Sequence, residues 1–125
     1  MRIRPERVAE RMKREIAGIL ARELEDPRIS SMVSVTDVEV TQDLSFARVF
    51  VSVLAAGEER RKALEALQHA AGFVRHQLAS RLGLREVPEL RFVHDESIER
   101  GARVEDILRR LERGETIAEE DEEEA

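Results

Sequence analysis

The chain of 125 residues has no cysteine, tryptophan or tyrosine, and only four phenylalanines and three prolines. Without cysteine there are no disulfides and no thiolate metal ligands. With aromatic residues so scarce, an extended base-stacking platform is thin. No segment approaches the roughly 18 apolar residues that a membrane span requires. The start, Met1-Arg2-Ile3-Arg4-Pro5-Glu6, is charged where a signal peptide has an apolar stretch. A cytoplasmic protein with no membrane partner is therefore expected. Gly57, Gly72 and Gly83 are isolated, so neither a P-loop nor a dinucleotide fingerprint is present.

What is present is charge and a moderate apolar content: 38% and 42% of residues, as expected of one globular domain. The formal net charge of -6 is unevenly spread. Residues 112–125 hold eight acids and one base, whereas residues 1–111 hold 20 bases and 19 acids. This predicts a near-neutral folded body over 1–111 and an acidic, disordered tail over 112–125. The tail reads as a solvating segment, or more sharply as an internal competitor for a basic face. Arginine outnumbers lysine 19 to 2. Genome composition or a hot environment accounts for such a bias, and so does phosphate recognition, for which the planar guanidinium is suited.

Periodicity gives the element order. Val8, Met12, Ile16, Ile19, Leu20 and Leu24 recur at helical spacing, predicting a helix from Pro5 to about Leu24 that Asp26-Pro27 ends. On another face, Arg4, Arg7, Arg11, Arg14 and Arg22 fall within about an 80° stripe, with Gly18 in its middle. That glycine suggests close approach of an RNA backbone or of another element; the bland reading of the stripe is a solvated face. Met32–Val40 and Phe46–Leu54 read as strands joined by a turn at 41–45. The first changes phase between Val35 and Val38, which a bulge near Thr36-Asp37 or burial on both faces reconciles. Helical spacing over 58–71 and 73–82 predicts two helices separated by a kink or tight turn at Gly72, the second stopping at Gly83. Leu90–Val93 is a third strand, and 98–111 is weakly helical.

Enzyme readings fail on geometry. His94, Asp95 and Ser97 are triad residue types, but neighbours in a strand point to opposite faces. His69 and His76 lie seven residues apart with no third ligand, so neither a metal nor another cofactor is expected.

The order helix, strand, strand, helix, kink, helix, strand is that of an α+β domain of the type II KH kind, with a three-stranded sheet and helices on one face. Such domains grip single-stranded nucleic acid at a GXXG loop. Here Ala70-x-Gly72 stands in its place. An Ala-x-Gly kink in this order resembles the ribosome-binding factor A family. Asp26-Pro27-Arg28 is similar to that family's signature, as is Val35-Thr36-x-Val38-x-Val40 followed by Asp43-Leu44-x-x-Ala47. So is Leu84-Arg85-x-x-Pro88-x-Leu90-x-Phe92-x-x-Asp95-x-Ser97, followed by Gly101. The resemblance runs from about Arg7 to Leu111.

The resemblance implies a monomeric, non-enzymatic factor that binds the free small ribosomal subunit and its rRNA late in maturation. It also implies processing of the rRNA precursor near its 5′ end, growth in the cold, and an assembly GTPase as a further partner. Without GXXG, phosphate contact and shape reading remain as the means of binding. The candidate contacts are Arg4, Arg7, Arg11 and Arg14 on the first helix, with Arg28, Arg48, Arg75, Arg81 and Arg85; Ala70 and Gly72 form the expected structural kink. The alternative is a protein-interaction module that docks on ribosomal proteins or another assembly factor without touching RNA.

Overall fold

The computed structural model describes residues 4–114, without the side chains of 98–100 and 102. The elements are α1 (Pro5–Arg22), α2 (Pro27–Ser30), β1 (Val33–Val40), β2 (Phe46–Val53), α3 (Gly57–Leu82), β3 (Glu89–His94) and α4 (Ser97–Glu112). The chain divides into two compact units, Met1–Asp95 and Glu96–Ala125. The first holds the sheet and its helices, and the second holds α4. The compact boundary thus precedes the change in composition at residue 112. From residue 115 onward the expected acidic tail lies outside the described residues.

The sheet has the order β1-β2-β3. β1 and β2 form an antiparallel hairpin, and β3 lies parallel to β2. A parallel neighbour needs a long crossover, which α3 supplies. The phase change in β1 is a bulge: Val35 faces Val51 and Asp37 faces Phe50, leaving Thr36 as the extra residue. Thr36 is put to structural use, because its hydroxyl donates to the Asp95 carboxylate at 2.6 Å. At the hairpin, Leu44 adopts a left-handed φ of 62°. Asp43 supports it by accepting from the Ser45 amide and hydroxyl and from the Thr41 hydroxyl. These bonds, those from Ser45 first, lower the Asp43 pKa below its ordinary value.

One face of the sheet is the core. Ala47, Val49 and Val51 of β2 are fully buried with Met12, Ile16 and Ile19 of α1 and Leu67, Val74 and Leu78 of α3. Each of the larger side chains contributes roughly 1.5–3 kcal/mol by leaving water. Helices α1 and α3 therefore cover the same face, as the sequence predicts. The other face carries Glu39, Arg48, Glu89 and Arg91, all exposed.

Two details differ from expectation. The short helix α2 is additional; it starts at Pro27 with Asp26 as its cap, the carboxylate accepting from the Arg28 amide at 3.0 Å. The second is α3, which is one helix of 26 residues with no turn at Ala70-x-Gly72. Gly72 is not among the positive-φ glycines. The reason lies in burial. Ala71, Val74 and Leu78 keep one buried stripe on both sides of Gly72 only if the helix continues. Glycine's cost of about 1 kcal/mol is small beside those three burials. The helix does stop at Gly83, in the left-handed conformation (φ 65°) that favours glycine.

Candidate nucleic-acid interface

The first candidate surface is the outer side of α1. The apolar side of this helix is buried, so the arginine stripe faces water, and Arg4, Arg7, Arg11 and Arg14 are all exposed. The side chains of Arg4, Arg7 and Arg14 have no hydrogen bond or ion pair among the described residues. Arg11 is partly committed: its guanidinium donates to the Arg81 carbonyl at 3.1 Å, in the last turn of α3, where unpaired carbonyls attract cations. Gly18 is not contacted by another element. A Cβ there would meet only Arg22, whose Nη2 would lie 2.7 Å away. The glycine thus leaves room for the Arg22 side chain to lie back along the helix.

The remaining candidate arginines fall into different environments. Arg81 bridges two carboxylates of the α1 region, Glu15 at 3.2 Å and Glu23. Arg75 donates to the carbonyls of Pro88 at 3.1 Å and Val87 at 2.9 Å, holding the loop that leads into β3. Arg28 makes a two-pronged contact with Asp26, at 3.1 and 2.9 Å. That contact raises the Arg28 pKa and lowers the Asp26 pKa. Arg48 pairs with Glu39 at 2.7 Å and lies over the Phe50 ring, 5.7 Å from its centroid. Arg85 is exposed and unpaired among the described residues.

A second surface is the outer side of α3. Two polar side chains fix the rotation of this helix against β3. Gln68 donates to the Leu90 carbonyl at 3.2 Å and accepts from the Phe92 amide at 3.1 Å. It thereby pairs two backbone groups on the otherwise open edge of β3, as a neighbouring strand would. Arg75 makes the loop contacts just described. With these two anchors in place the helix turns His69, Gly72, Phe73 and His76 outward, all exposed. Nothing lies within 4 Å of the position a Gly72 Cβ would take. From Ala66 to Arg85 the sequence contains no Asp or Glu, whereas the chain as a whole has 27. A polyanion therefore meets no fixed negative charge from this helix segment. Phe73 and the two histidines escaped the candidate list because helical spacing alone does not distinguish an outward aromatic from a core one. The acid-free run was a legible signal.

Among the described residues there is no group of three His, Asp or Glu placed to hold a metal ion. No helix among them is long and apolar enough to cross a membrane. Asp95, a member of the apparent triad types, is engaged by Thr36.

The family model for ribosome-binding factor A matches residues 4–108, nearly the whole described chain. The chain belongs to that family. The ribosome-binding factor A of Caldanaerobacter subterraneus subsp. tengcongensis is 44% identical over 115 residues, covering 92% of this chain and 94% of that one. In solution, a ribosome-binding factor A homologue from Thermotoga maritima has the same fold. Its TM-score is 0.66 and its identity 35%, over 75% of this chain and 89% of its own. A homology model of the Thermus thermophilus ribosome-binding factor A, fitted into the cryo-EM map of a complex with the 30S subunit, matches with a TM-score of 0.58. It is 30% identical, over 70% of this chain and 91% of its own. The matched region takes in the arginine stripe of α1 and all of α3.

Within the family fold, Gly72 lies on an unbroken helix with open space over it, so a methyl group there has two opposite effects. Gly72→Ala should raise stability by roughly 0.5–1 kcal/mol, because alanine is the better helix former. It should also weaken RNA binding if a sugar-phosphate chain approaches the bare backbone. Thermal melting and binding to small subunits, measured on the same protein, separate the two effects. Unchanged affinity would reduce Gly72 to a helix position without contact.

Proposed function

We propose that this protein binds the free small ribosomal subunit through its rRNA, as a late maturation factor that catalyses no reaction. The observation that carries the reading is the pair of surfaces on α1 and α3, one with unpaired arginines and the other built on the acid-free run that begins at Ala66. Membership of the ribosome-binding factor A family supports it, as does the assembly of the Thermus thermophilus relative with the 30S subunit. Phosphates are contacted by arginine, and the shape of folded RNA sets the register. On this reading the protein acts as a cytoplasmic monomer during processing of the rRNA precursor's 5′ end, and an assembly GTPase is the partner linked to its departure.

Sedimentation with purified subunits tests the proposal. The protein should travel with free small subunits, travel far less with large subunits, and be displaced as salt rises. Equal binding to both subunits would sink the small-subunit assignment. Binding that withstands RNase and barely responds to salt would favour docking on ribosomal proteins instead.

A further inference from the structure

Phe73 stands outside the apolar logic of α3. Its neighbour Val74 is fully buried, yet Phe73 is 42% exposed. A single exposed apolar residue is ordinary; the surroundings of this one are not. Gly72 beside it is open backbone with nothing within 4 Å of a Cβ position. His69 and His76, four residues before and three after, flank the ring on the same side of the helix, and both are exposed. No carboxylate occurs in the sequence from Ala66 to Arg85.

We propose that Phe73 is a stacking platform for one unpaired base of the bound RNA, with the sugar-phosphate chain of that nucleotide passing over the bare backbone at Gly72. The inference rests on the RNA-binding reading and deepens it. Every nucleobase has a π face, so one exposed ring serves any base without selecting among them. Imidazoles on either side extend the flat surface and are themselves stacking partners for unpaired bases. A missing Cβ brings the backbone closer to a ribose than any other residue permits. A protein partner would need more: interface anchors lie within a broad, water-excluding ring of further contacts. Around Phe73 the neighbours on the helix are the exposed His69, Gly72 and His76 and the half-buried Ala70 and Gln77. The acid-free run from Ala66 to Arg85 suits a polyanion and gives no anchor of its own to a basic peptide.

The composition supplies its own reporter. The chain has no tryptophan or tyrosine, so Phe73→Trp places the sole indole at the proposed platform. Emission from that indole should be quenched by a short single-stranded oligoadenylate and by small subunits, as stacked bases quench it. Phe73→Leu keeps an apolar side chain and a good helix former, and a melting curve checks its fold. It should bind small subunits about tenfold more weakly. The salt dependence should not change, because no phosphate contact is lost. If the parent protein binds subunits while the leucine variant binds equally well, the platform is refuted and the RNA reading stands. A blue shift on subunit binding with no quenching by oligoadenylate would place the ring against protein and overturn the inference. Failure of the parent to bind small subunits at all would overturn both.

Discussion

Reversing Arg7 and Arg14 together to glutamate should weaken binding to the small subunit by at least about a hundredfold while leaving the fold intact. Both residues are exposed on α1, and neither has a partner among the described residues, so no native contact is lost with them. A hydrogen bond to a charged phosphate contributes roughly 1.5–3 kcal/mol, and about 1.4 kcal/mol corresponds to a factor of ten. Two lost contacts therefore reach the stated loss before the repulsion of two new carboxylates is added. Affinity alone does not prove contact, because charge reversal near any polyanion weakens binding. The salt dependence does: each phosphate contact removed should flatten the log–log slope by about one unit. A double variant with a parental slope would move the interface off α1, leaving α3 and Arg85 to carry it. Arg11 is the poorer choice for this test, since its guanidinium already holds the Arg81 carbonyl. Its loss would mix binding with packing.

Arg81→Glu should destabilise the protein by about 2 kcal/mol, whereas Arg85→Glu should change stability by less than about 0.5 kcal/mol. The two arginines lie four residues apart and look equivalent in the sequence. In the fold, Arg81 joins α3 to Glu15 and to Glu23. The three side chains are 28–34% exposed, so solvent screens them and each pair contributes only about 0.2–1 kcal/mol. Reversal removes both pairs and places a third carboxylate beside the other two, which adds a comparable repulsion. Denaturant titration of both variants gives the comparison. If Arg81→Glu proves as stable as the parent but binds RNA poorly, Arg81 is a contact residue and the bridge is incidental. The same experiment probes the seam between α1 and α3, which holds the two candidate surfaces side by side.

The core side of the fold was legible because its signals are local. Val8, Met12, Ile16 and Ile19 announce a buried helical stripe by spacing alone, and all four are buried. The phase change in β1 pointed to the bulge that Thr36 occupies. Gly83 ends α3 as its place after Leu82 indicates. The family was legible too, because its motifs sit at turns and strand entries where few residue types fit.

Tertiary structure decided the rest, and the physical reason is distance along the chain. Whether an arginine is free depends on which carbonyl or carboxylate the fold brings to it. Arg11 meets a partner 70 residues away and Arg81 one 66 away, beyond the reach of any spacing rule. Arg75 is tied to the Val87 and Pro88 carbonyls, partners that no helical spacing announces. Gly72, read as a kink or tight turn between two helices, lies within one helix, because burial of Ala71, Val74 and Leu78 outweighs its weak helix propensity. The outward turn of Phe73 has the same origin. The anchors at Gln68 and Arg75 and the buried stripe set the rotation of α3, and that rotation determines which side chains meet the core and which meet the solvent.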